Sequence, residues 1–501
     1  MTEESAHGGV GGTDGGHGDG DGDASGVVRR DRFSGGPARS FLSSLAADER
    51  IFEADLEIDR AHVLMLAAQE IVDDETAGDI LTALDAIEVE GHGSLPDGED
   101  VHEAIETAVI DQVGEEGGKM HTARSRNDEV ATCIRYRLRE DVLDAIETTL
   151  ALRESLIDVA SAHTETVMPG YTHLQPAQPT TVAHWALSYE GAIRRDTERL
   201  LDAYARINQS PLGGAAFAGT TFDIDREYTA ELLGFDSVIQ NSMDASSSRD
   251  FLLETTQALS THATTLSGLA EDLIIFANRG FVDLADDYSS TSSIMPQKKN
   301  PDTLELVRAV AGDAAGNVQG LTTMLKGLPR AYNRDLQRAT THAWDAVDAV
   351  TEASEVAAGA VATADWNEEA LEAEAGEGFS TATGVADLLA ANGLPFRTAH
   401  ELVASAAEQG ADYDALDAAA EDVLGEPLEA YVDPDAVADA LDPAQSVASR
   451  DSQGGPAPTA VADQLEYARD AIESDEAVQT DLVDELDAAH AALREEVNDY
   501  V

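Results

Sequence analysis

The amino-acid sequence predicts an all-α protein whose centre is a bundle of five long helices. In the first segment apolar side chains recur every four residues, at Val130, Ile134, Leu138, Val142, Ile146 and Leu150. No proline interrupts this pattern between Asn127 and Pro169, so one helix of about forty residues is expected. A helix of that length must bury its apolar stripe along its whole length, which favours a bundle of similar helices.

Four further helical segments follow, separated by connections rich in glycine, proline or hydroxyl side chains. They cover residues 182–207, about 251–278, 301–325 and about 335–362. Pro301 is suited to the start of its helix, because its fixed φ and missing N–H cost nothing in the first turn. The segment Pro169–Thr181 contains three prolines and is expected to be an irregular loop.

The sequence divides into a tail and three folded parts. Residues 1–28 are acidic and glycine-rich and should be disordered. Residues 29–125 should form an N-terminal helical domain, residues 126–364 the central bundle with its connecting loops, and residues 365–501 a C-terminal helical domain.

The charge of the chain excludes several classes of partner. It has 31 Lys and Arg residues against 97 Asp and Glu residues, a net charge of −66. This composition resembles cytosolic proteins of salt-accumulating halophiles, in which concentrated salt screens self-repulsion. The same charge disfavours binding to nucleic acid or to an anionic membrane.

No membrane span or secretory signal is expected. The chain lacks a run of about 18 apolar residues, and its N-terminus lacks an apolar core. The single cysteine, Cys133, excludes an intrachain disulfide framework and a cysteine cluster for zinc. We therefore expect a cytoplasmic protein.

A pair of lysines marks the first candidate site. The chain has four lysines, and two of them, Lys298 and Lys299, stand together in Tyr288–Asp302, which reads YSSTSSIMPQKKNPD. Because the chain keeps so few lysines, a pair beside serine hydroxyls is expected to bind an anionic ligand. A surface loop with two solvated lysines is the alternative on composition alone.

Further candidate residues lie earlier in the chain. The segment Gly118–Thr132 reads GKMHTARSRNDEVAT, and its Arg124 and Arg126 suit a dicarboxylate, because arginine forks bind carboxylates through two hydrogen bonds. Structural pairing with the abundant acids is the alternative. His102 can have either a functional or a structural role. His173 lies in a proline-rich loop without an apolar face to pack against, which favours a functional role.

These segments resemble the signature motifs of the argininosuccinate lyases, a family of the fumarase/aspartase superfamily. The matching stretches are SSIMPQKKNPD, HTARSRND, PGYTHLQP and YNRDLQ, and the resemblance extends over residues 29–501. It implies a three-domain fold whose five-helix bundle builds the core of a homotetramer, with active sites shared between subunits. It also implies cleavage of argininosuccinate to arginine and fumarate without a cofactor or metal.

The resemblance also assigns site residues. Ser292, or its neighbour Ser293, is the base, and Lys298 stabilises the negative charge that develops on the substrate. His173 assists departure of the amine, and Glu305 orients its imidazole. The substrate-binding residues implied in the same way are Ser44, His102, Arg124, Asn127, Thr172, Asn300, Tyr332 and Gln337.

Several positions depart from the family pattern. Ala123 and Thr291 replace glycines, and the alanine predicts that position 123 does not need a glycine-only backbone. Ser248 stands where the family has aspartate, and Thr340 where it has lysine, with Arg338 as the candidate to replace that charge. Two alternatives therefore stay open: another fumarate-releasing lyase, such as adenylosuccinate lyase, aspartase or fumarase, and a non-catalytic scaffold like the lens crystallins of this family.

Overall fold

Helices dominate the chain, as predicted. The computed structural model describes residues 37–501, so the predicted tail of residues 1–28 lies outside the described residues. The N-terminal unit contains α1 (Pro37–Leu42), α2 (Phe52–Ala68), α3 (Asp74–Glu90) and α4 (Val101–Val113). Apolar side chains of this unit meet in a core that includes Leu56, Leu64, Ile80, Leu84 and Ile105.

The central bundle confirms the prediction of five long helices. Its helices are α5 (Arg126–Ala162), α6 (Val182–Ile207), α7 (Arg226–Leu232), α8 (Ser242–Ser247), α9 (Asp250–Arg279), α10 (Asp302–Leu325) and α11 (Ala339–Ala362). The long members α5, α6, α9, α10 and α11 pack side by side around one large core. The last of them begins later than predicted, because residues Arg334–Arg338 first form a 3-10 turn.

The start of α5 is fixed by its own sequence. The Ser125 hydroxyl accepts a hydrogen bond from the Asn127 N–H (3.3 Å), and Asp128 Oδ1 accepts one from the Ser125 N–H (3.0 Å). This capping box satisfies N–H groups that the first helical turn leaves without partners. Asp128 Oδ2 also accepts hydrogen bonds from the N–H groups of Gly213 and Ala215, which ties the connection after α6 to the same place.

The connection between α5 and α6 is a β-hairpin rather than the irregular loop that we predicted. Strands β1 (Val167–Thr172) and β2 (Gln175–Thr181) pair in antiparallel register. Each strand of such a two-stranded ribbon has one edge without a partner strand. Prolines are tolerated in it because their missing N–H is not needed at a free edge. His173 and Leu174 form the two-residue turn with φ values of 57° and 58°, and positive φ at both positions is the type I′ pattern of tight hairpins.

Short strand pairs close other connections. They are β3 (Gln209–Ser210) with β4 (Ser237–Val238), β5 (Val282–Asp283) with β8 (Asp365–Trp366), and β6 (Ser290–Thr291) with β7 (Lys299–Asn300). The last pair joins the two sides of the loop that carries Ser292 and Lys298.

A third unit of short helices follows the bundle. It contains α12 (Glu368–Ala375), α13 (Ala382–Ala391), α14 (Phe396–Ala407), α15 (Tyr413–Leu424), α16 (Pro434–Leu441) and α17 (Pro443–Ala448). Helices α13 to α16 enclose a separate core that includes Val385, Leu389, Leu402, Leu416 and Val437.

The last helix, α18 (Pro458–Asn498), does not join that third core, although residues 365–501 were predicted to form one domain. Its first half buries Val461 and Leu465 in the bundle core, and its end buries Leu493 and Val497 in the N-terminal core. It therefore links two units that are distant in sequence. None of the helices in the described chain combines the length and apolarity needed to cross a bilayer.

Candidate active site

Five of the predicted substrate-binding residues line one cavity of about 340 Å³ between the N-terminal unit, α5 and the 3-10 turn. They are Ser44, His102, Asn127, Tyr332 and Gln337. The charged residues that complete the wall are Asp48, Glu99, Asp100, Arg126, Arg249 and Arg334. A concave site with charges of both signs suits a small zwitterionic ligand.

Asp48 forms the part of the wall that suits a cationic group. Its Oδ2 accepts hydrogen bonds from the Ser44 hydroxyl (2.7 Å) and the Val101 N–H (3.2 Å). Burial raises the pKa of Asp48, although the charge of His102 and the hydrogen bond from Ser44 oppose this shift. A ligand ammonium or guanidinium that approached Asp48 would compensate for its lost hydration.

His102 contributes a positive charge to the same wall. Its Nδ1 lies 2.8 Å from Asp55 Oδ2 and 3.7 Å from Glu129 Oε1. Burial by itself lowers the pKa of His102, but the two carboxylates outweigh burial and raise this pKa well above 6.5. The neighbouring carboxylates thus favour the protonated form of the imidazole.

Arg124, which we predicted to contact the substrate, lies behind the wall instead. Its guanidinium contacts Asp59 (2.5 Å) and Glu129 (2.9 Å), and all three side chains are buried. Burial raises the pKa of Asp59 to about 7 and that of Glu129 to about 8, even though Arg124 acts in the opposite direction. Both sides of its fork are used within the protein, so the structural alternative holds for this arginine.

The same buried carboxylates are the place where a cation could be held. Oxygen atoms of Asp55, Asp59 and Glu129 all lie within 4.8 Å of one another. Arg124 and His102 already contact these carboxylates, so two basic side chains of the chain itself offset much of the negative charge of the cluster.

The backbone next to Arg124 corrects another expectation. Ala123 adopts a φ of 65°, in the left-handed region that glycine occupies at lowest cost. We inferred from the alanine that no such conformation was needed here, and that inference is wrong. An alanine can take this conformation at a cost of about 1–2 kcal/mol, which the surrounding contacts must offset.

The polar side chains of the remaining wall are held by backbone carbonyls. Gln337 Nε2 donates to the Leu42 carbonyl (3.0 Å), and Asn127 Nδ2 donates to the Ala216 carbonyl (3.2 Å). These bonds fix the direction of both amide groups. Arg338, by contrast, is exposed and does not line the cavity, where Thr340 takes the place of the family lysine.

The loop between β6 and β7 distinguishes the two candidate bases. Ser292 Oγ accepts hydrogen bonds from the N–H groups of Ile294 (3.3 Å) and Met295 (3.1 Å). The Ser292 N–H donates to the Lys298 carbonyl (3.0 Å). Donors directed at the oxygen stabilise an alkoxide, whereas the side chain of Ser293 is exposed. This geometry favours Ser292.

The two lysines of this loop have different environments. Lys299 Nζ lies 3.2 Å from Asp283 and 3.1 Å from Asp286, so its charge is already paired at the surface. Lys298 is exposed and makes no ion pair with any residue that the structure describes. The ammonium of Lys298 is therefore the one that remains available to a ligand.

The predicted site residues lie at two ends of the bundle. Helix α5 has 37 residues, a length of about 54 Å, and Asn127 stands at its start. Thr172 follows its end by ten residues, which reach at most about 35 Å, so Asn127 and Thr172 lie at least about 20 Å apart. Helix α11 separates the Ser292 loop from Gln337, which stands two residues before the helix begins. The hydroxyl of Tyr288, shortly before that loop, lies beside Gly359, about 30 Å along α11 from Ala339.

The hairpin and the Ser292 loop share one end. Strand β8 pairs with β5, which precedes the loop, and α12, which follows β8, packs against β1. Thr172, His173, Ser292, Lys298, Asn300 and Glu305 thus lie near that end, and the cavity residues lie near the other. Glu305 makes no hydrogen bond with His173 within the described chain, and both are exposed.

A larger cleft of about 730 Å³ lies elsewhere, between the N-terminal unit and α11. Its wall carries eight carboxylates, of Glu49, Glu53, Glu88, Asp141, Asp144, Asp348, Glu352 and Glu355. Arg50 and Arg137 contact some of these acids. Such a negative cleft does not suit an anionic substrate, so the smaller cavity is the better candidate.

Sequence reasoning left Asp48 and Arg249 out of the site, and of the two candidate arginines the resemblance assigned Arg124 rather than Arg126 to the substrate. Arg126 lies two residues from Arg124, and only the start of α5 decides which of them reaches the cavity. Arg249 stands directly before α9, in the stretch where Ser248 departs from the family pattern, and that departure was a signal that could have identified it.

Comparisons with known proteins agree with this geometry. Residues 39–316 match the family described as Lyase, and residues 379–448 match the one described as argininosuccinate lyase C-terminal. The chain is 69% identical over 481 residues to the argininosuccinate lyase of Haloarcula marismortui, across 95% of this chain and 96% of the relative. It is 72% identical over 449 residues to that of Natronomonas pharaonis, across 90% and 92%.

A solved structure and the source of these relatives complete the comparison. EDDS lyase in complex with formate superposes with a TM-score of 0.83 at 32% identity, across 94% of this chain and 97% of that chain. Both relatives named above are haloarchaeal, which confirms the salt-adapted character expected from composition. The chain belongs to the argininosuccinate lyase family of the fumarase/aspartase superfamily.

Proposed function

We propose that this lyase cleaves argininosuccinate to arginine and fumarate. The observation that carries the proposal is that the chain has two distinct candidate binding surfaces. One is a cavity with Asp48, Asp100 and His102 for a zwitterionic amino acid, and the other is a loop with Ser292 and Lys298 for a dicarboxylate. Argininosuccinate joins these two kinds of ligand through one C–N bond.

The first chemical task is removal of a proton from the carbon beside a succinyl carboxylate. The resulting carbanion pushes further negative charge onto that carboxylate. Cations and N–H donors must therefore be positioned beside the carboxylate before the proton is removed. The ammonium of Lys298 and the amide of Asn300 supply them. Ser292 takes the proton as an alkoxide, because the N–H groups of Ile294 and Met295 and the nearby ammonium lower the cost of its charge.

The second task is departure of the guanidine. It leaves once its nitrogen is protonated or its charge is stabilised, and His173 is suited to assist because an imidazole can donate a proton or a hydrogen bond to that nitrogen. Glu305 orients that ring from another subunit or after loop closure. Thr172, beside His173, contacts the succinyl half.

The two surfaces require assembly. We infer a homotetramer in which the cavity of one chain meets the hairpin and loop of others. The long helices α5 and α11 support this proposal, because they keep the two groups of residues apart within one chain. A cytoplasmic location is supported by the resemblance of the composition to cytosolic proteins of halophiles.

A single assay separates this activity from its alternatives. Fumarate release is followed by ultraviolet absorbance in molar KCl with argininosuccinate, adenylosuccinate, malate and aspartate as substrates. Release from argininosuccinate alone is expected. Preference for another substrate would assign a different fumarate-releasing lyase, and release from none of them would favour a non-catalytic scaffold.

A further inference from the structure

Arg249 is a buried cation without an internal counter-charge. It is 3% exposed, stands immediately before α9 and lines the candidate cavity together with Tyr332. Its Nη1 donates one hydrogen bond to the Ser248 carbonyl (2.7 Å), and its buried Nε has no partner. Among the residues that the structure describes, no carboxylate lies within ion-pair distance of it.

Other buried arginines show how the chain normally satisfies such a group. Arg60 and Arg153 contact carboxylates. Arg135 and Arg139 have no carboxylate partner but make three hydrogen bonds each, to carbonyls and to other neutral oxygens. Arg249 has neither arrangement, and leaving a buried charge so poorly satisfied is costly.

The neighbouring residues increase this imbalance. The Ser248 hydroxyl accepts a hydrogen bond from Arg135 (3.3 Å), where the family pattern would place an aspartate. A neutral side chain therefore stands between two buried guanidiniums. Burial lowers the pKa of Arg249 to about 10, and burial together with the charge of Arg249 lowers the pKa of Arg135 to about 9. The charges of Asp250 and Asp244 act on Arg135 in the opposite direction but do not outweigh these effects.

The other cations of the cavity wall indicate that the counter-charge of Arg249 comes from a ligand. Two of its other cations are already paired, Arg126 with Asp100 (3.4 Å) and Arg334 with Glu99. His102 is paired with Asp55. Thr340 adds no charge. Arg249 is therefore the wall cation that remains for a ligand within the described chain.

We propose that Arg249 binds the α-carboxylate of the arginine half of the substrate, a role that rests on the proposed cleavage of argininosuccinate. Asp48 on the same wall then faces the cationic part of that half. Tyr332 lines the same cavity as Arg249, so its hydroxyl can share the carboxylate. The loop with Ser292 and Lys298 is left for the succinyl half.

Arginine and argininamide test this contact directly, because a neutral amide replaces the carboxylate in the second. Binding of each to the assembled protein is measured by titration calorimetry in molar KCl. The parent protein is expected to bind arginine on the order of 10- to 100-fold more tightly, as for loss of a charge-assisted hydrogen bond. Equal binding of the two ligands would overturn the proposal before any variant is made.

Variants then assign the discrimination to a residue. In Arg249→Gln the preference for arginine is expected to fall to within about threefold, while argininamide binding stays the same. Arg330→Gln is the matched control, since Arg330 is an exposed arginine that lines only a neighbouring cavity and pairs with Asp244. The assignment would be contradicted if Arg249→Gln kept the full preference for arginine over argininamide, or if Arg330→Gln lost it.

Two measurements keep the test decisive. If Arg249→Gln does not assemble, Arg249→Lys keeps the charge without the planar fork and is expected to bind arginine about tenfold more weakly, with argininamide unaffected. Unchanged arginine binding in that variant would overturn the proposal. Arginine binding through Arg249 without fumarate release would contradict only the cleavage reaction, whereas normal turnover with unaltered binding in Arg249→Gln would contradict only the carboxylate contact.

Discussion

Subunit complementation tests the two-ended site most sharply. Asn127→Ala damages the cavity end, and Ser292→Ala damages the loop end. The backbone N–H of Asn127, not its side chain, takes part in the helix cap, so α5 is expected to begin normally in the first variant. Each variant alone should lose about 100-fold or more of its activity, as when one positioned hydrogen-bonding group is removed from an active site.

The expected recovery follows from the separation of the two ends. If each site takes its cavity from one chain and its loop from another, an equal random mixture gives intact cavities and intact loops in half the cases each. About one quarter of the sites should then contain no damaged part. If both ends came from the same chain, every site would contain one damaged residue and no activity would return.

The assay uses reversible assembly. The two variants are dissociated at low ionic strength, mixed in equal amounts and reassembled in molar KCl, and fumarate release from argininosuccinate is recorded. Each variant taken through the same cycle alone is the control. A mixture of His173→Ala with Ser292→Ala then shows whether those two residues come from different chains. Mixed assemblies of the Asn127 and Ser292 variants that recover no activity would refute the two-ended site.

Three further outcomes are expected. The pKa of His102 is raised well above 6.5 by Asp55 and Glu129 despite burial. The contribution of His102 to stability is therefore present below about pH 6.5 and is lost as pH rises through the folded-state pKa. In Asp55→Asn, the free energy of unfolding measured in urea should depend less on pH over that range. Ala123→Gly should increase the free energy of unfolding by up to about 1 kcal/mol, because the backbone strain at a φ of 65° is removed. The greater entropy of glycine in the unfolded chain offsets part of this gain. A decrease would show that the backbone at Ala123 is unstrained. Circular dichroism and sedimentation across a KCl series should show loss of structure or assembly at low salt, because 97 acidic residues face 31 basic ones; salt-independent folding would contradict this reading of the composition.

Local sequence patterns were enough to predict the long helices of the bundle. Helix α5 has an apolar residue at every fourth position and a capping box at Ser125, so both its length and its start are encoded within the helix. The hairpin was not predicted, because the three prolines of Pro169–Thr181 usually exclude strands and only the free edges of a two-stranded ribbon accept them.

Contacts between distant residues could not be predicted in this way. Arg124 and Arg126 are chemically alike in the sequence, but Asp59, 65 residues away, holds Arg124 behind the wall. The end of α18 is equally dependent on distant partners, since Leu493 and Val497 bury their side chains in the N-terminal core. The motif residues were found from resemblance, whereas Arg249 was identified from the structure, because no carboxylate among the described residues lies within ion-pair distance of it.

The decisive measurement is the turnover number of Lys298→Met as a properly assembled protein. Methionine keeps a long side chain but removes the ammonium that is proposed to stabilise the carbanion, so kcat for argininosuccinate should fall by about 100- to 1,000-fold. Lys299→Met is the matched control, because that lysine pairs with Asp283 and Asp286, and it should keep kcat within a few-fold. Undiminished turnover in Lys298→Met would show that the proton is removed without this charge.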